Sequence, residues 1–157
     1  MEIILLTINK TKNKNIKSLL DDYEQRINHY IKFSTIIIPE IKKIKNYTSK
    51  EQKEKEGALI KKELKNGDLI ILLDESGVLF SSNDFAESLN KKYNANHKRI
   101  VFIIGGSYGF SESIYLLKHQ KLSISKMTFT HQMIRLFFCE QLYRAHTILK
   151  NEKYHHT

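Results

Sequence analysis

A lone cysteine, Cys139, in a chain of 157 residues has no internal partner for a disulfide, and no Cys/His cluster has zinc-finger spacing. Cys139 also falls in a strongly apolar helical stretch, the setting of a small core residue rather than of a nucleophile. One proline and six glycines exclude a linker-rich or low-complexity chain. No apolar run approaches the length of a membrane span. The apolar start Ile3–Ile8 is too short for a signal peptide and lacks a basic flank. These absences predict a reduced, soluble, cytoplasmic protein without membrane attachment. The hydrophobic residues, 41% of the chain, are gathered into segments of strand or helix length. A single domain over residues 1–157 follows, large enough to bury roughly two-thirds of its unfolded surface.

Acidic residues are the minority, and the formal net charge of +9 favours a polyanionic partner. Residues 1–65 carry 15 Lys and Arg against 9 acids, so most of the excess is N-terminal. Lys42, Lys43, Lys45, Lys50, Lys53, Lys55, Lys61, Lys62 and Lys65 are interleaved with Glu51, Glu54, Glu56 and Glu63. That pattern reads either as a solvated helix laced with i,i+4 pairs or as an RNA-facing surface.

Strand-like and helix-like segments alternate along the chain. Buried strands are predicted at Glu2–Ile8, Phe33–Ile38 (stopped by Pro39), Leu69–Leu73 and Arg99–Ile104, with a brief one at Leu122–Ser125. Between them fall helices over Asn13–Tyr30, from a Ser49 cap to about Lys65 with Ala58, Leu59 and Leu64 inward, from Ser81 to about Tyr93, and from Ser111 to about Lys118. His131–Lys150, capped by Thr130, closes the chain. Five such alternations imply an α/β fold with a mostly parallel sheet and helices on both faces.

In such sheets ligands bind beyond the carboxyl ends of the strands. Two strand ends stand out: Leu73-Asp74-Glu75-Ser76-Gly77 and Gly105-Gly106-Ser107-Tyr108-Gly109. The second lets backbone approach a ligand closely. It is neither a dinucleotide fingerprint nor a P-loop, and by itself a tight turn explains it equally well. Ile124–His131 places small hydroxyls and Lys126 before the last helix. That helix is apolar on more than one face, so it is deeply buried or covered by a second subunit. Arg135 and Arg144, nine residues apart, point to opposite sides, and a symmetric dimer interface would supply Arg135 with a partner. The tail Tyr154-His155-His156 sets an aromatic ring and two imidazoles, groups suited to base stacking and proton transfer, directly after it.

Together these segments resemble the bacterial 23S ribosomal RNA pseudouridine N3-methyltransferases of the SPOUT superfamily of knotted methyltransferases. The resemblance spans the whole chain and is carried by Ile103–Gly109, Ser123–Phe129, His131–Arg135, Glu140–Ala145 and Tyr154-His155. It implies a C-terminal trefoil knot and S-adenosylmethionine held by Leu73, Gly105, Ile124, Ser125, Lys126, Met127, Thr128 and Phe129, with no metal. It further implies a homodimer in which one subunit's tail completes the other's site, and a 23S rRNA substrate in the assembled ribosome. Tyr154, His155 and Arg144 are the implied catalytic residues, for proton transfer, base positioning and stabilisation of a developing imide anion. Thr130 and His156 depart from the family pattern, where Pro and a permanent cation are common. The alternative is a non-catalytic, ribosome-associated RNA-binding module acting through the basic N-terminal region.

Overall fold

The computed structural model describes residues 1–42 and 46–155; Lys43, Lys45 and His156, singled out above, lie outside them. The chain runs β1 (Glu2–Ile8), α1 (Lys14–Asn28), β2 (Lys32–Ile38), α2 (Ser49–Glu63), β3 (Leu69–Leu79), α3 (Ser82–Asn94), β4 (Arg99–Ile104), α4 (Glu112–Tyr115), β5 (His119–Ser123) and α5 (His131–Leu149). The strands form one five-stranded sheet in the order β2-β1-β4-β3-β5, and every pairing is parallel. The predicted α/β fold with a parallel sheet is what forms.

Alternation along the strands divides the core. Ile3 and Leu5 of β1, Ile100 and Phe102 of β4 and Ile71 of β3 face α1, α3 and α5. Ile4, Leu6, Val101, Ile103, Ile70 and Leu72 face α2 and α4. Both faces of β1 and β4 are therefore buried, which is why these strands read as continuous apolar runs. Steps from β1 to β2 and from β3 to β4 go one way across the sheet and use the α1/α3 face. Steps to β3 and β5 go the other way and use the α2/α4 face, as a single crossover handedness requires. The rings of Phe102 and Phe138, 4.6 Å apart, join β4 to α5, and Phe138→Ala would cost about 3–5 kcal/mol.

Local caps set the helix starts. Asn13 accepts the amides of Asn15 and Ile16, Ser81 that of Asp84, and Thr130 that of Met133. The cap of α2 is Thr48 rather than Ser49, because Thr48 and Glu51 close a reciprocal capping box.

Three further expectations are corrected. The last strand is His119–Ser123, not Leu122–Ser125, because this edge strand pairs on one side only and tolerates the polar His119, Gln120 and Lys121. Strand β3 continues past Leu73 to Leu79, and Leu122 partners both Leu73 and Val78 around a bulge at 74–77. Helix α2 buries Gln52, Glu56, Gly57 and Ile60, while Ala58 is exposed. Its lysines make no close ion pair with its glutamates among the described residues, although Lys55, four residues on, helps to hold the Glu51 carboxyl below its ordinary value.

Candidate functional site

The carboxyl ends of β3, β4 and β5 open into a cleft of about 840 Å³, within the range of small-molecule and cofactor sites. One wall is the turn after β4, where Gly106 and Gly109 pair across a tight loop and Gly109 takes φ 76°, a conformation that favours glycine. A side chain at Gly105 would start 3.3 Å from the Gly109 backbone and from the Phe110 ring, tighter than ordinary van der Waals contact, so it would press on this wall. The facing wall is the loop from Ile124 to Thr130. There Ser123 Oγ donates to the Ser125 carbonyl and Ser125 Oγ accepts the Met127 amide, bending the chain before the Thr130 cap.

Seven of the eight residues expected to hold a methyl donor line this cleft: Leu73, Gly105, Ile124, Ser125, Met127, Thr128 and Phe129. Lys126 belongs to the same loop, but it is exposed and does not line the cavity. Sequence reasoning missed Lys53 of α2 and Tyr115 of α4, which also reach the cleft. Asp74 accepts from Ser76 and from the Tyr115 hydroxyl. Burial alone would push this carboxyl up, but those hydrogen bonds, with Lys121 nearby, bring it below its ordinary value. His131, also on the wall, is held neutral-leaning by burial and by the cations Arg135 and Lys12.

Arg135 finds two partners within its own chain. It is buried, and its guanidinium donates to the Ile8 carbonyl and the Thr11 hydroxyl, fastening α5 to the end of β1. Its Nε has no partner among the described residues.

The three expected catalytic residues come together at the other end of α5. Arg144 donates through Nε and Nη2 to Glu140 Oε1 and through Nη1 to His155 Nδ1 at 3.3 Å. Its guanidinium lies 4.7 Å from the centre of the Tyr154 ring. The Tyr154 hydroxyl donates to Glu140 Oε1 at 3.2 Å and meets the Tyr23 hydroxyl at 3.3 Å. Burial first, then Tyr23 and Glu140, push the Tyr154 phenol well above its ordinary value, so it stays protonated. None of these residues lines the cleft. Fourteen residues of helix separate Thr130 from Arg144, which is roughly 21 Å along the axis.

Fold and cleft define an α/β protein with a cavity of small-ligand size at the carboxyl edge of a parallel sheet, walled by backbone and by polar and apolar side chains. Residues 1–155 match a family model described as "Predicted SPOUT methyltransferase", and the chain belongs to that family. It is 56% identical to the "Ribosomal RNA large subunit methyltransferase H" of Flavobacterium johnsoniae and 54% identical to that of Christiangramia forsetii. Each match runs over 156 residues, 99% of this chain and 99% of the relative. A probable methylase family protein from Haemophilus influenzae Rd KW20 shares the fold, with a TM-score of 0.51 and 14% identity over 99% of this chain and 70% of that one. The resemblance seen in the sequence motifs is borne out, and membership of a methyltransferase family implies a methyl donor.

Proposed function

We propose that this chain is an S-adenosylmethionine-dependent ribosomal RNA methyltransferase that works as a homodimer and methylates N3 of a pseudouridine in 23S rRNA within assembled ribosomes. The observation that carries the reading is the division along α5: a cleft of donor size at one end and a polar, aromatic cluster at the other. Each is half of a methyl-transfer site, and a second copy of the chain brings the halves together. Met133, Leu136 and Phe137, apolar yet only partly buried along α5, support a face for that copy. The names of the relatives support ribosomal RNA as the substrate. The knotted C-terminus belongs to the same reading: β4 and β5 flank β3, and α5 returns over the opposite face from α4.

The residues present fit the donor. Leu73, Ile124, Phe129 and Ile134 offer apolar surface to a purine, and the glycine wall lets backbone amides approach closely. Bound there, S-adenosylmethionine supplies an electrophilic methyl group on a sulfonium that leaves as a neutral thioether. The protein must position N3 in line with that methyl and manage the imide proton. Arg144 can only donate, so His155 Nδ1 accepts and a neutral His155 carries its proton on Nε2. In that state His155 offers an N–H to a substrate carbonyl, and Arg144 offers its charge to the developing imide anion. His155 takes up a proton at Nδ1 only once Arg144 releases it. Tyr154, protonated and hydrogen-bonded, positions the pair.

The test is labelled methyl transfer onto assembled ribosomes, free large subunits and naked rRNA, with mapping of the modified base. Label at N3 of a single pseudouridine, strongest on assembled ribosomes, is expected; label on another base overturns the assignment. Calorimetry with S-adenosylmethionine separates the non-catalytic RNA-binding alternative, which predicts no affinity.

A further inference from the structure

Helix α2 carries a feature that the methyl-transfer reading does not use. Glu56 is 3% exposed, in a helix otherwise covered with charge. Its Oε1 accepts from Gln52 Nε2 at 2.9 Å, and its Oε2 has no partner among the described residues. A buried carboxyl oxygen without a partner is costly, and it remains only where its surroundings fix it. The surroundings here are the glycine loop: a Cβ built on Gly106 would lie 2.4 Å from Oε2 and 2.8 Å from Oε1. The next residue, Gly57, makes a second close approach, since a Cβ there would lie 2.4 Å from Ser111 Oγ at the start of α4. Glycine in a helix interior costs about 1 kcal/mol relative to alanine, and this approach is what its absent side chain permits. Two consecutive residues of α2 are thus seated against the two ends of the segment from Gly106 to Ser111. Lys53, three residues earlier and on the same side of the helix, lines the cleft itself.

The geometry points to Glu56 as a positioning residue for methyl-donor binding: its carboxyl group, held by Gln52 and seated against Gly106, sets the position of the Gly105–Gly109 wall. Glu56 does not touch the cleft; it acts through Gly106. The inference rests on the reading that S-adenosylmethionine binds between this wall and the Ile124–Thr130 loop. Alanine at 106 would have to expel the carboxyl from its seat, and alanine at 56 would leave the loop unsupported. Either change loosens the same wall, so the two together should cost little more than one.

The experiment is calorimetric titration of the full-length protein with S-adenosylmethionine, using the wild type, Glu56→Gln, Glu56→Ala, Gly106→Ala and the Glu56→Ala/Gly106→Ala double variant. Each single alanine variant is expected to weaken binding about tenfold, and the second substitution to add less than about threefold, a coupling of the size seen between residues in contact. Glu56→Gln, which keeps the shape and the bond to Gln52, is expected to bind within about threefold of wild type. In turnover the effect should fall on KM for the donor and leave kcat near its wild-type value. A merely structural Glu56 would lower the melting temperature and the fraction of competent sites, with the Kd of the remainder unchanged. That result overturns the inference, as does a Gly106→Ala penalty that is the same in both backgrounds. Absence of binding by the wild type overturns the cleft reading and this inference with it.

Discussion

At its amino end α5 meets a cleft walled by glycine backbone and apolar side chains, with Asp74 held ionised at one side. At its carboxyl end it carries Glu140, Arg144, Tyr154 and His155 in mutual contact, a cluster made almost wholly of polar side chains. The first arrangement is a cavity of ligand size, with the titratable groups Asp74, Tyr115 and His131 set around a largely apolar lining. The second offers donors, a permanent cation and an imidazole, and none of its residues lines the cleft. A helix keeps the two ends roughly 21 Å apart. Under the proposed function, this separation makes the working unit a pair of chains rather than one.

The sharpest way to break this contrast is to disable each end separately. Gly105→Val should abolish donor binding by filling the wall against Gly109. Arg144→Ala and His155→Ala should each lower methyl transfer by about 10²–10⁴-fold, with donor affinity unchanged by calorimetry. Mixing the Gly105→Val and His155→Ala chains should then restore activity. Random pairing gives heterodimers with one intact composite site, or about a quarter of the wild-type sites. Failure of the mixture to exceed its components would place both halves of the site in one chain. A smaller effect is expected of Tyr154→Phe. It removes the hydroxyl that joins Glu140 and Tyr23 but keeps the ring beneath Arg144. Methyl transfer should fall no more than about tenfold, the scale of one or two hydrogen bonds. A loss matching that of His155→Ala would make the phenol a direct participant in proton transfer.

Much of this contrast was legible in the sequence, and what was missed has physical causes. The buried strands β1 and β4 announced themselves because both of their faces are apolar. The Ser81 and Thr130 caps followed from residue type and spacing. The strand ends at Leu73 and Gly105, the Ile124–His131 segment and the tail stood out by position and residue type, but their roles, and that of Arg144, came from motif resemblance, since loops carry no period to read. Strand β5 was misplaced because an edge strand with polar residues lacks the alternation that marks a half-buried one. The bulge at 74–77 was read as a strand end because Asp74-Glu75-Ser76-Gly77 has turn composition. On α2 the apolar residues told only part of it: Leu59 and Leu64 pack against the core, but Ala58 is exposed and the buried stripe contains Gln52 and Glu56. The signal available was Gly57, a helix-interior glycine whose usual explanation is close packing.

The smallest expected effect concerns what holds the polar end in place. His146 is 5% exposed on α5, with the rings of Tyr30 and Tyr93 centred 5.5 and 5.8 Å from its own. Nδ1 donates to the Leu142 carbonyl and Nε2 accepts from the Tyr93 hydroxyl. Tyr30 in turn donates to Glu152, which ties the tail to the same aromatic layer. Burial lowers the folded-state pKa of His146 below its ordinary value, with Lys150 adding to the shift and the Leu142 bond opposing it. A depressed pKa means that the unfolded chain binds more protons. Stability from this group is therefore complete above about pH 6.5, and it is lost as pH falls towards the folded-state pKa, at most about 1.4 kcal/mol per pH unit. His131 acts in the same sense, and Glu56, raised by burial, in the opposite one. The informative quantity is thus the difference between wild type and His146→Gln, which leaves both of those groups in place. Thermal melts from pH 7.5 to 5.5 should show the variant less stable at the upper end and less sensitive to acid. Parallel curves would mean that His146 titrates alike in the folded and unfolded chains, and that the aromatic layer holds the tail without any contribution from a buried neutral imidazole.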